Sequence, residues 1–159
     1  MTPDELEILE KKEFALYTEE VGSAIEAKLH LVLAHLYIEH LLERYISTKL
    51  KTTGGLFGQY GLTFDKKVCL AESCGGLNPQ SIAGVRRLNA LRNDCVHKFK
   101  HQPTEKQIHD FGRSLGKAYQ ETIKSQRARA TDLSLLRLFC ARLCGAMLAA
   151  VLKAEHPRV

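Results

Sequence analysis

An arginine, an amide and an imidazole stand close together in the stretch Leu91-Arg92-Asn93-Asp94-Cys95-Val96-His97-Lys98-Phe99. These residue types suit phosphodiester chemistry. Arginine stays charged and presents a planar fork of donors matched to phosphate oxygens. Histidine, with an ordinary pKa of ~6.5, takes or gives a proton near neutrality. RNA carries its own nucleophile, the 2′-hydroxyl. A histidine that removes its proton, or that protonates the leaving 5′-oxygen, promotes cleavage by general acid–base catalysis. An arginine on the crowded phosphorane adds preorganised electrostatic stabilisation. That chemistry needs no metal and no cofactor, and it spares DNA, which lacks the nucleophile. Arg92 and His97 are the candidates for these roles. Asn93 either orients His97 or holds a phosphate. Read alone, Arg-x-x-x-x-His also fits a helix-end histidine satisfied by its neighbours.

The spacing constrains how such a site is built. Arg92 and His97 lie roughly 140° apart around a helix, whereas Asn93 and His97, four residues apart, share a face. A compact site therefore needs either two copies of this helix crossing or fraying near His97. A symmetric homodimer with a composite site is the expectation, since two-fold symmetry is the commonest closed arrangement of identical chains. The flanks are basic. Lys98, Lys100 and His101 follow the motif, and Arg86 and Arg87 precede it. The formal charge of +5 and the pI of about 9.0 favour contact with nucleic acid or another anion, although the excess is modest.

The elements that must position this stretch read as helices. Strand-like alternation is nearly absent, and Leu, Ala, Glu, Lys and Arg dominate, so the fold class expected is all-α: an up-and-down bundle of about five to six helices. At 159 residues the whole chain, 1–159, is expected to be a single domain, with the first helix peripheral. Thr2-Pro3-Asp4-Glu5 is a strong helix start, running to about Thr18. Ser23-Ala24-Ile25-Glu26 reads as a second capping box that opens a long helix to about Leu50, with Gly22 separating the two. Its core stripe is expected at Ile25, Leu29, Val32, Leu33, Leu36, Leu41 and Tyr45. His30, His35 and His40 recur every five residues, which spirals around the helix, so they read as surface or packing histidines and not as shared metal ligands.

The stretch 52–61, with Gly54, Gly55, Gly58 and Gly61, lacks the Gly-Lys-Ser/Thr of a phosphate loop and reads as a connection. Thr63 caps a short helix to about Ser73, ended by Gly75-Gly76. Asn78-Pro79 starts the motif helix, whose inward residues are Ile82, Val85, Leu88, Leu91 and Cys95 or Val96. Gln102-Pro103 stops it. Thr104-Glu105-Lys106-Gln107 is another capping box, opening one helix to about Ser125 with Ile108, Phe111, Leu115, Tyr119 and Ile123 inward. Gly112 and Gly116 inside it suggest close helix packing. Arg127-Ala128-Arg129 reads as a solvated basic link. Thr131-Asp132 caps the last helix. That helix is apolar but carries Arg137 and Arg142, and it reads as a buried helix and not a membrane span.

Five cysteines, an acidic N-terminus with no apolar leader, and no Cys-x-x-Cys spacing point to a reducing cytoplasm with no structural zinc. Cys69, Cys74, Cys140 and Cys144 read as small buried hydrophobes.

The Arg92-Asn93-x-x-x-His97 pattern at the end of a central helix closely resembles the signature of the HEPN superfamily. The resemblance covers roughly residues 20 to 155. The segment Phe64-Asp65-Lys66-Lys67-Val68-Cys69-Leu70, followed by Asn-Pro and by Leu88-Asn89-Ala90-Leu91-Arg92-Asn93, also resembles the mannitol-repressor-like branch of that group. The resemblance implies a helical bundle that dimerises through the motif helices. In ribonuclease members of defence and toxin systems the Arg and His cleave RNA, which carries over to Arg92 and His97, with Asn93 between them. A polar or acidic residue on the long helix often faces the motif, and Glu39 is the candidate here, although a solvated face also explains it. One departure is Phe99. Toxins paired with a nucleotidyltransferase antitoxin tend to show His-x-Tyr, so an antitoxin that modifies this site is not expected.

Two functions from different classes follow. The first is a homodimeric, metal-independent endoribonuclease in which Arg92, Asn93 and His97 act and Glu39, Arg86, Arg87, Lys98 and Lys100 bind RNA. The second is a non-catalytic regulator, or a module binding RNA or a protein partner such as an antitoxin, resembling mannitol-repressor proteins. A third is a structural domain whose Arg92 and His97 hydrogen-bond the dimer seam. No helix-turn-helix signature supports direct reading of DNA.

Overall fold

Apolar residues at helical spacing, punctuated by Thr-Pro, Asn-Pro and Gly-Gly, fold the described part of the chain into helices with no strand. The structure is a computed structural model that describes residues 2–19, 26–51, 56–57, 61–97, 101–125 and 131–157. Among them run α1 (Pro3–Tyr17), α2 (Ala27–Leu50), α3 (Phe64–Ser73), α4 (Pro79–His97), α5 (Glu105–Ser114), α6 (Lys117–Ser125) and α7 (Asp132–Glu155). The all-α bundle is as the sequence implies. The Ser23 capping box, Gly22, most of the 52–61 connection and the 127–129 link lie outside the described residues.

Several starts are set by their own side chains. The Thr2 hydroxyl accepts from the Glu5 amide while the Glu5 carboxylate accepts from the Thr2 amide. Thr104 and Gln107 repeat the arrangement at α5, and Thr131 caps α7 through the Ser134 amide. Such caps satisfy amides that the helix leaves unpaired, each contributing about 1 kcal/mol. Thr63 departs from this: it holds the N-cap position of α3 but makes no capping hydrogen bond.

Two long helices form the centre. α2 packs on α7, α4 and α3, and α7 also carries α1, α5 and α6. Leu31, Ala34, Ile38, Leu41, Leu42, Tyr45 and Ile46 of α2 meet Leu136, Phe139, Leu143, Met147 and Val151 of α7 in one apolar core. A fully buried Leu or Ile contributes about 1.5–3 kcal/mol relative to its exposed state. α7 is long and apolar enough to cross a membrane by length and composition, and in this fold ten of its side chains are buried. Arg44 of α2 straps the ends together. Its Nη1 donates to Glu13 of α1 at 2.6 Å, and its Nη2 donates to Glu155 of α7 at 2.7 Å.

The core stripe of α2 is rotated from the expected one. Tyr45 and Leu41 face inward, but Leu29 and Leu36 are 49% and 52% exposed. Helix α2 is apolar on most sides, so composition alone does not select which side meets α7. The inward arc goes to the residues that α4 and α7 cover, and it takes His30 and His35 with it. His40 stays on the outside. Cys140 and Cys144 are buried as expected, whereas Cys69 is exposed, because Val68 and Ala71 take the inward side of the short α3.

The segment 104–125 is two helices and not one. Gly116 stands at φ +60° and breaks the run between α5 and α6. That left-handed conformation is cheap only for glycine, so Gly116 serves a turn. The break turns Ile123 outward, 37% exposed. Gly112 serves packing, as expected. A Cβ there would lie 2.6 Å from the Phe139 ring and 2.7 Å from Tyr119. Since Phe139 is fully buried, its ring cannot swing away. Gly112→Ala should therefore destabilise the protein by about 1–3 kcal/mol, the usual cost of overpacking. Urea unfolding followed by circular dichroism reads this, and an unchanged midpoint would contradict the packing described.

Candidate functional site

Three helices bring the polar residues of the candidate site together. α2 carries His35, Glu39 and Glu43 along one side, each a turn apart. α3 brings Phe64, Asp65 and Lys67, and α4 brings Asn89, Arg92, Asn93 and His97. The α4 face that holds Leu88, Leu91 and Cys95 in the core is the one expected from the sequence. Arg92 sits on the flank of that face, half-buried.

Near Arg92 runs a chain of hydrogen bonds that is buried at His35 and reaches the surface at Asp65. Asn89 Nδ2 donates to Asp65 Oδ1 at 2.9 Å, and Asn89 Oδ1 is 3.0 Å from His35 Nε2. Because the amide nitrogen faces the carboxylate, the amide oxygen faces His35, and His35 Nε2 is the donor. Neutral His35 then holds a lone pair on Nδ1, which is buried and has no hydrogen-bond partner. The His35 ring stacks on Phe64 at 4.1 Å. Burial pushes the His35 pKa down. The bond to Asn89 and the nearby Glu39 and Asp65 oppose this, and the Arg92 charge adds to it.

Lys67 closes one side. Its Nζ donates to Glu39 at 2.6 Å and to Glu43 at 2.5 Å, with only 7% of the side chain exposed. Burial works against its charge, but the two carboxylates outweigh it and hold the pKa above the ordinary lysine value. Glu39, expected to face the motif, is thus spent on Lys67.

The motif itself divides into a held group and a free one. Arg92 Nη1 donates to Asn93 Oδ1 at 3.0 Å, which fixes the guanidinium. Its Nε is buried and has no acceptor among the described residues. His97, at the end of α4, is exposed and makes no hydrogen bond or ion pair among the described residues. Asn93 turns to Arg92 and not to His97. Arg92 and His97 are not joined within one chain, in keeping with their separation around the helix. Arg86 pairs with Glu72 at 2.6 Å and Arg87 approaches Asp110 at 3.5 Å, both on the exposed surface. Lys98 and Lys100 lie outside the described residues.

Sequence reading missed His35, Asn89, Asp65 and Lys67 as parts of this site. Two signals were present. His35, Glu39 and Glu43 recur at four-residue spacing, as do Asn89, Asn93 and His97, and each series is a polar line along one side of its helix. Comparison of the chain with known protein families, with curated proteins and with solved structures finds no match in any of the three.

The His35 environment predicts a pH response. With its folded pKa below the unfolded value, the unfolded chain binds the extra proton first, so stability falls as pH is lowered. Between pH ~7.5 and ~5, spanning the ordinary histidine range, the wild type should lose more stability than His35→Gln, which cannot ionise. Urea midpoints at the two pH values measure this. Equal losses in both proteins would contradict the assignment.

Proposed function

We propose that this chain is a homodimeric, HEPN-like, metal-independent endoribonuclease of the cytoplasm, belonging to a defence or toxin–antitoxin type of system. One observation carries the reading: Arg92 is oriented by Asn93 yet keeps a buried Nε–H with no acceptor. An unsatisfied buried donor costs about 1–3 kcal/mol and calls for a functional reason. A phosphate oxygen, reached by a small shift of the half-buried Arg92 side chain, is an acceptor that would satisfy it. His97, exposed and without a hydrogen-bond partner among the described residues, has the chemistry of the proton carrier.

In this reading Arg92 of one protomer and His97 of its partner serve one scissile phosphate. His97 takes the 2′-hydroxyl proton, and the 2′-oxygen attacks phosphorus. Arg92 stabilises the charge that gathers on the phosphorane. The bond from phosphorus to the 5′-oxygen breaks, and the leaving oxygen takes a proton from water. The products are a 2′,3′-cyclic phosphate and a 5′-hydroxyl. The exposed ridge of Leu29 and Leu36 on α2 supports a second copy as partner, since apolar surface of that kind favours association. The same ridge is what favours the second reading, a non-catalytic module that binds RNA or a protein partner.

Purified protein should cleave single-stranded RNA in the presence of EDTA and leave cyclic phosphate ends. His97→Ala and Arg92→Ala should each lower the rate about 100-fold or more, the usual scale for a lost proton carrier or oxyanion donor. Thermal unfolding of each variant separates lost chemistry from lost fold. A folded His97→Ala protein as active as wild type would refute the role given to His97. A wild type with no activity on RNA would favour the binding module.

A further inference from the structure

We propose that the cleft at the N-terminal end of α4 binds a phosphate group, free or carried on a small phosphomonoester. The cleft measures about 160 Å³ and is walled by Ser81 and Gln80 of α4, Leu115, Arg142 and Leu143. It is a different place from Arg92, which lies about 16 Å further along α4 at the helical rise per residue.

Three polar side chains converge on this cleft with nothing to bind. Ser81 is 9% exposed, and its hydroxyl has no hydrogen-bond partner among the described residues. The Gln80 amide and the Arg142 guanidinium likewise make no hydrogen bond or ion pair there. Helix geometry adds a fourth donor. Pro79 has no N–H, the Gln80 N–H is taken by Asn78 Oδ1 at 2.8 Å, and the Ile82 N–H is taken by the Asn78 carbonyl at 3.1 Å. The Ser81 N–H remains, at the positive end of a helix whose first turn holds no carboxylate. Amides and dipole together make such an end receptive to phosphate.

The Gln80 amide lies against the Gly116 turn. A Cβ on Gly116 would lie 2.4 Å from Gln80 Nε2, so any other residue at that turn would displace it. The size also fits, since a cavity of about 150 Å³ holds a benzene ring and a phosphate is smaller. Arg142 also borders the neighbouring groove of Glu7 and Glu10, but neither carboxylate is paired with it. Arg142 is therefore free to serve an anion in the cleft.

The test is titration of the full chain with inorganic phosphate and, separately, with ribose 5-phosphate, against sodium chloride at matched ionic strength. Melting temperature and the Ser81 amide resonance are read together. Both should move saturably with at least one of the two phosphates, and the stronger of the two identifies the source. Arg142→Ala should weaken binding at least tenfold, and Ser81→Ala several-fold. Arg92→Ala should leave it unchanged, which separates this cleft from the proposed catalytic site. A response no greater than that to chloride would overturn the proposal. So would an Arg142→Ala protein that binds like wild type, or binding lost only in Arg92→Ala.

Discussion

The hydrogen-bonded chain from Asp65 through Asn89 to His35 is the constraint that the rest of the site depends on. Polar groups taken out of water must find partners inside the protein, or each costs stability. Asn89 meets this demand with both ends of one amide, giving its nitrogen to α3 and its oxygen to α2. Three helices are thereby fixed at one register. The Lys67 ion pairs to Glu39 and Glu43 pin the same two helices from the side. Sliding α4 by one residue would break the chain and turn Arg92 away from its present place. The apolar core could tolerate some exchange of shapes; this seam cannot, because a hydrogen bond misaligned by a residue is lost.

Arg92 gains its character from that seam. It sits between the core flank of α4 and the buried imidazole of His35, near enough for its charge to disfavour protonation there. Asn93 takes one of its donors and leaves the buried Nε–H unspent. His97 stands in the opposite condition, exposed and with no hydrogen bond or ion pair among the described residues. A group held rigid and a group left free complement each other only if something outside the chain brings them together. In the proposed reading, that task falls to a second copy, consistent with the separation of the two around one helix and with exposed Leu29 and Leu36 on α2.

The legible parts of the fold were those governed by local chemistry. Thr2, Thr104 and Thr131 announce their helices because a cap is a contact between neighbours in sequence. The inward residues of α4 were legible because one side of that helix is polar. α2 was misjudged because it is apolar on most of its circumference, and only the placement of α4 and α7 decides that Leu29 and Leu36 stay outside. The break at Gly116 was hidden for a related reason: four-residue glycine spacing fits close packing and a turn equally well. For the site, Arg92 and His97 were visible as residue types. The His35–Asn89–Asp65 chain was not, since it joins residues 24 and 54 positions apart that only the tertiary fold brings together.

The most direct measurement is subunit complementation. Arg92→Ala protein and His97→Ala protein, each expected to be inactive alone, are unfolded, mixed in equal amounts and refolded together. If the guanidinium and imidazole of one site come from different protomers, half of the random dimers carry one intact site. About a quarter of the wild-type RNA-cleaving rate should then return. A mixture no more active than its separate components would contradict the composite site.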